Sequence, residues 1–280
     1  MEWSKGDTVE TKRKKITKWL LILTGILFLA VFLVLPLVYV LVTALRDGWN
    51  TYLKSVLDPD AVKAILLTVE VVLITVVINT IFGIFAAWVI TKFTFRGKKV
   101  ISTLIDLPLT ISPVIAGLIF VLTFGRQSAI YPLLEKLNIQ IIFAVPGIVL
   151  ATIFVTFPFI SREIIPVLTA AGNDEEEAAA LMGANGFQIF TQITLPHIRW
   201  AMIYGIVLCS ARAMGEFGAV SVLSGHLRGI TNTMPLYIEL LYQAFDFTGA
   251  FAMSSILVIM AILILVARNI LEYRGKKEEV

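Results

Sequence analysis

Asp174–Pro196, DEEEAAALMGANGFQIFTQITLP, is a polar stretch lying between two of the most apolar segments of the chain. Gly172, Asn173 and Asp174 break whatever helix precedes it. Asp174 can accept from the free amides of a following helix, and Glu177 stands three residues on, the spacing of a capping box. A new helix is therefore expected from about Glu175. Its acidic first turn suits the positive end of a helix dipole, and Ala178, Ala179, Ala180, Leu181 and Met182 all favour helix. Gly183 would cost about 1 kcal/mol relative to alanine within that helix, a penalty that makes sense if another backbone approaches there. Gly186 is the expected stop. The result is a short capped helix from which Leu181, Met182 and Phe187 protrude. An apolar face not claimed by lipid should dock on another protein. The alternative, a helix lying among lipid headgroups, would favour basic residues on the polar face, where this one carries acids.

The surroundings are lipid-facing in character. Hydrophobic residues make up 58% and charged residues 15% of the 280 positions, and the mean hydropathy is +0.88. Such a balance excludes an ordinary soluble domain and identifies an integral membrane protein. Crossing the hydrocarbon core takes roughly 20 apolar residues. Six stretches qualify, at about 16–45, 61–90, 100–124, 141–165, 200–223 and 250–271. The fold class is thus all-α, a polytopic helical bundle. Lys12, Arg13, Lys14, Lys15 and Lys18 precede the first run, Lys92, Arg96, Lys98 and Lys99 follow the second, and Arg274, Lys276 and Lys277 follow the last. By the positive-inside rule both termini and the quoted stretch are cytoplasmic. The expected organisation is a basic cytoplasmic segment 1–15, a transmembrane domain 16–273 containing a cytoplasmic loop 166–199, and a cytoplasmic tail 274–280. The single Cys209 supports neither a disulfide nor a thiolate metal site, and the net charge of +3 does not call for nucleic acid.

Glu177, Ala178, Ala179, then Gly183, then Ile193, Leu195 and Pro196 resemble, in residue and spacing, the EAA loop of bacterial ABC importer permeases. ARAMGEFGAVSVLSG (Ala211–Gly225) is similar to the fifth-helix signature of oxyanion permeases, and DLPLTISPVIAGL (Asp106–Leu118) to their proline-containing third helix. FVTFPFISREIIPV (Phe154–Val167) and LYIELLY (Leu236–Tyr242) most resemble the W-type permease subunit of sulfate/thiosulfate importers. The resemblance implies a type I, MetI-like, permease architecture in the bacterial cell membrane. It implies a non-catalytic subunit for sulfate or thiosulfate, with molybdate or tungstate as the alternative cargo. The implied partners are a T-type second permease, two ATPase subunits and an extracytoplasmic binding protein, with ATP and Mg held by the ATPase and no cofactor on this chain. Glu177, Ala178, Ala179, Leu181, Met182, Gly183, Leu195 and Pro196 would couple to the ATPase. Pro113, Arg212, Gly215, Glu216, Phe217 and Gly218 would line or gate the pathway.

The residues themselves allow a second account of the fifth helix. Arg212 and Glu216 share one helical face within the membrane and should pair, while Ala211, Gly215 and Ala219 form a small-residue stripe for a close helix neighbour. Pro108 and Pro113 must interrupt the third helix, either as ordinary kinks or as a break on the substrate path. Glu70 is expected as a buried carboxylate bonded to a neighbouring helix. His197 and His226 fall on opposite sides of the membrane, which precludes a shared metal. The external loop Ser224–Pro235 is a candidate surface for the binding protein. No G-x-x-x-x-G-K-[ST] loop, H-E-x-x-H or G-x-S-x-G motif occurs. A secondary transporter or channel is the rival from another class, although no internal repeat supports it.

Overall fold

The computed structural model describes the backbone of residues 4–278 and the side chains of residues 14, 15 and 17–271. Lys12, Arg13, Arg274, Lys276 and Lys277, used above for orientation, lie outside the latter set. Among the described residues all regular structure is helical. Five helical segments are long and apolar enough to cross a membrane, and a sixth arises if one bent pair counts as a span.

The first apolar run is a rod of α1 (Ser4–Leu29), a π-helical turn (Ala30–Val34) and α2 (Leu35–Leu45). The wide turn has a local cause. Pro36 lacks an N–H and its ring would crowd the carbonyl four residues back, so Leu35 N–H reaches Ala30 O instead. Helicity extends well before residue 16, and no described residue ahead of Ala44 is buried. The rod lies at the edge of the bundle, and its far end is fixed where Ala44 packs with Tyr52 and Ala252.

After α3 (Trp49–Val56) comes α4 (Pro59–Lys92), the central post, which packs chiefly against four later helices. Asp58 caps it, its Oδ1 accepting from Asp60 N at 2.9 Å and Ala61 N at 3.3 Å. The same oxygen accepts from the Tyr237 hydroxyl at 3.2 Å. Burial, then the neighbouring Asp58 carboxylate, pushes that hydroxyl up to about 12, which keeps it a donor at ordinary pH. Glu70 is exposed on α4, not buried as expected. Its helical position turns it away from Val71, Val72 and the rest of the core-facing stripe.

The expected third crossing is not one helix. α5 (Lys98–Thr110) and α6 (Pro113–Phe124) meet at a bend of 110°. Ile111 and Ser112 are extended because a residue before proline avoids helical geometry, and Pro113 then opens α6 rather than kinking a continuous helix. Pro108 does sit inside α5. Beyond the short α7 (Tyr131–Lys136), the fourth crossing consists of α8 (Val145–Thr156) and α9 (Pro158–Ala171), running past the expected end at Ile165. Asn79 of α4 braces the junction at Pro158. Its Nδ2 donates to Ile153 O at 3.3 Å and Thr156 Oγ1 at 2.8 Å, with Cys209 Sγ at 3.7 Å.

α10 (Asp174–Leu181), α11 (Gly186–Ile189) and a second π turn (Phe190–Thr194) make up the polar loop. α12 (Leu195–Met214) stops short of the expected helix 200–223, and α13 (Gly218–Ser224) resumes after a break. α14 (Met234–Gln243) and α15 (Phe247–Glu278) complete the chain, the last helix continuing beyond residue 271. α4, α9 and α12 meet around the fully buried Ile160. A Cβ at Gly205 would lie 2.9 Å from Ile160 Cα, and one at Gly83 would lie 3.0 Å from its Cγ2. Small residues at the crossing are what let these backbones close in.

Asp58→Ala should remove the α4 cap and strand the Tyr237 hydroxyl, a loss of about 1 kcal/mol or more. Thermal unfolding in detergent should show a lower midpoint, with Asp58→Asn, which keeps an acceptor, falling less.

Candidate functional site

Two regions hold the residues singled out by sequence: the polar loop at one end of the bundle and the break between α12 and α13.

In the loop, Gly172 takes φ +67 with extended ψ, a conformation open to glycine alone, and so turns the chain sharply out of α9. α10 then starts at Asp174 with Asn173 ahead of it, and no side chain caps it, so the expected Asp174/Glu177 capping box does not form. The reciprocal box lies one helix later. Asn185 Oδ1 accepts from Gln188 N at 2.9 Å, and Gln188 Oε1 accepts from Asn185 N at 2.8 Å. Gly186 therefore opens α11 rather than stopping α10. Gly183 does the stopping. At φ +91 it sits just beyond the end of α10, Gly183 N–H bonds to Ala180 O and Ala184 N–H to Ala179 O, the pattern of a Schellman motif. Among the described residues nothing approaches it, so the glycine is required by backbone conformation and not by a close neighbour.

α10 has two faces. Ala179 is buried and Glu176 half-buried against the chain, whereas Glu177, Ala178, Leu181 and Met182 point outward. Leu181, Met182 and Phe187 are 89%, 82% and 77% exposed, too bare for apolar residues at the end of a folded bundle unless something covers them. Leu195 packs into the α9/α12 core while Pro196 stays exposed. Together they root α12: the missing N–H of Pro196 coincides with a π turn in which Leu195 N–H reaches Phe190 O.

Residues outside the sequence-derived set hold this loop in place. Lys92, at the end of α4, forms an ion pair with Glu176 at 3.1 Å and donates to Gly172 O. Glu176 Oε1 also accepts from Thr194 Oγ1 at 2.7 Å. Trp88 meets Phe190 edge-on at 5.7 Å between centroids. His197 lies 3.8 Å from Glu175, and both are well exposed, so this pair adds little. No group of three or more His, Cys, Asp or Glu able to hold a metal occurs among the described residues.

At the second region, Arg212 Nη1 lies 2.6 Å from Glu216 Oε2. They pair, but not along one helix. α12 ends at Met214, and Glu216 sits in the break, where its Oε1 accepts from Ala219 N at 2.9 Å and caps the start of α13. The Glu216 side chain is 1% exposed and that of Arg212 33%, so the carboxylate is internal and the guanidinium reaches a surface. The stripe Ala211, Gly215, Ala219 is not a packing seam, because Gly215 is exposed in the break. The close approach is elsewhere: a Cβ at Gly117 of α6 would lie 2.7 Å from Ala219 O. Gly218 abuts Pro113, with a Cβ there 2.9 Å from the Pro113 ring. The α5/α6 break and the α12/α13 break therefore face each other, bordered by the exposed Gly215 and Phe217.

Residues 79–277 match the family model described as "Binding-protein-dependent transport system inner membrane component". The chain belongs to this family. Among similar proteins, one from Escherichia coli (strain K12), named "Sulfate transport system permease protein CysW", is 47% identical over 94% of this chain and 90% of its own. A protein of the same name from Synechocystis sp. is 43% identical over 95% of this chain and 97% of its own. The crystal structure of a bacterial alginate ABC transporter in complex with a pentasaccharide-bound periplasmic protein contains a chain of the same fold. It superposes with a TM-score of 0.79 at 18% identity, covering 96% of this chain and 98% of that one. The chain is thus a multi-pass inner membrane component of a transport system, and permease subunits of this family are not themselves enzymes.

In such a permease, Arg212→Ala would leave the Glu216 carboxylate buried without its cation, a loss of about 3–5 kcal/mol. The yield of monodisperse protein should collapse. Adding Glu216→Gln, which retains an oxygen for Ala219 N, should restore more of it than adding Glu216→Ala.

Proposed function

We propose that this chain is the W-type permease subunit of an ATP-driven importer that carries sulfate, or its close analogue thiosulfate, across the bacterial cell membrane. The observation behind the cargo is the sustained likeness to proteins named as sulfate permeases along nearly the whole chain. The molybdate/tungstate reading and the stand-alone secondary transporter or channel draw no support from those relatives.

The proposed mechanism is alternating access driven by separate ATPase subunits, which hold ATP and Mg. α10 is the contact with them. Its outward Glu177, Ala178, Leu181 and Met182 offer an acidic and apolar ridge that a cleft on a soluble subunit can cover, and Gly183 turns the chain away so that the ridge stands clear. In this reading Ala179, which is buried, and Leu195, which is partly buried, hold the ridge from behind. The loop end is then cytoplasmic, along with both termini.

Cargo would pass the facing breaks at Pro113 and Gly215–Gly218. Arg212 offers a guanidinium there, but Glu216 neutralises most of its pull, so selection of the anion belongs to an extracytoplasmic binding protein. The path lies at the surface of a single bundle, which calls for a second permease chain of the T type to close it. Backbone breaks at such points are tolerated where they line a cavity or contact protein.

Glu177→Lys combined with Gly183→Leu should cut uptake of radiolabelled sulfate by about tenfold or more in proteoliposomes containing the complete complex. The chain should still insert. Unchanged uptake would refute the docking role, and competition by thiosulfate but not molybdate would match the proposed cargo.

A further inference from the structure

We propose that Lys92 is a positioning residue that carries motion of α10 into the transmembrane bundle. The inference rests on the coupling role proposed for α10 and concerns what happens after docking.

Four segments converge on its ammonium. Lys92 ends α4, pairs with Glu176 of α10 at 3.1 Å, donates to the carbonyl of Gly172 at the exit of α9, and reaches Thr194 through Glu176 at 2.7 Å. Thr194 closes the π turn from which α12 grows. The pair is nearly dry, with side-chain exposures of 7% for Lys92 and 18% for Glu176. The shallow crevice beside it opens toward the exposed Glu175 and His197. Separating two largely desolvated charges, one also bonded to Gly172 O and the other to Thr194 Oγ1, is unfavourable, so the contact travels as a unit. The contact between Glu175 and His197 in the same loop is exposed and cannot serve in the same way.

The connection has mechanical consequence because of what lies behind Lys92. α4 packs on α8, α9, α12 and α14, and α9 and α12 are the helices that meet around Ile160. A displacement of α10 therefore reaches α4 through the ion pair, α12 through Thr194, and α9 through Gly172. Trp88 against Phe190, one turn further into α4, keeps the same two segments in register.

The test uses the complete complex in proteoliposomes, reading radiolabelled sulfate uptake per ATP hydrolysed and the amount of co-purifying ATPase. Lys92→Met and Glu176→Gln should each lower uptake per ATP by about tenfold with ATPase content unchanged. Lys92→Arg should stay near the wild type. The exchange Lys92→Glu with Glu176→Lys should recover part of the loss, since the Gly172 carbonyl still lacks its donor. Wild-type uptake per ATP in Glu176→Gln would overturn the proposal. So would loss of the ATPase from either single variant, which would make the pair part of the dock instead. If Lys92→Met does not insert, Glu176→Gln, which keeps an acceptor for Thr194, decides alone. Failure of the wild-type complex to bind ATPase at all would count against the coupling role of α10 and not against this link.

Discussion

Inside a bilayer no water is at hand to satisfy a broken backbone ladder, so every interruption of a helix must be repaired by the protein itself. Nearly every distinctive feature of this permease is such a repair. At Pro36 and Pro196 the helix widens into a π turn, at Pro158 Asn79 supplies a donor to Ile153 O, and at Gly215 the carboxylate of Glu216 takes up an α13 amide. The repairs differ in what they leave behind. A π turn preserves a rod, a side-chain brace preserves a bent span, and the Glu216 cap permits a true gap bordered by exposed backbone. This gap, at Gly215–Phe217, lies against the uncapped break at Ile111–Ser112. That juxtaposition brings interrupted backbone from two spans together beside the exposed Gly215 and Phe217.

Fold class and crossings were legible because length and apolarity alone decide whether a segment spans. The EAA pattern was legible because its residues are local, with Leu181 and Met182 standing out on one short helix, whereas Gly183, expected within that helix beside another backbone, ends it at φ +91. Breaks were harder. Proline at 113 announces a disturbance, but whether a kink or a 110° turn results depends on what packs opposite, and Gly218 is 105 residues away in sequence, 218 minus 113. Gly215 was misread for the same reason. A glycine in an apolar run looks like a packing surface until the structure shows the helix ending one residue earlier.

The capping box was misplaced by competition between two equally good local signals. Asp174 with Glu177 and Asn185 with Gln188 have the same spacing, and only the second adopts the extended N-cap geometry that the box needs. Lys92 carried no local signal beyond its charge. Its partner, Glu176, sits in a run of four acids, and sequence offers no means of telling which of them turns inward. Burial of Ala179 one turn later on the same face makes the choice.

The rod formed by α1 and α2 is held along α2, which packs on α15 through Ala44 and Ala252 and sets Tyr39 edge-on to Phe251, whereas no described residue of α1 is buried. A helix anchored at one end can follow a thicker or thinner bilayer by tilting at modest cost, so α1 is the part of the chain best placed to adjust to membrane thickness while α2 stays against α15.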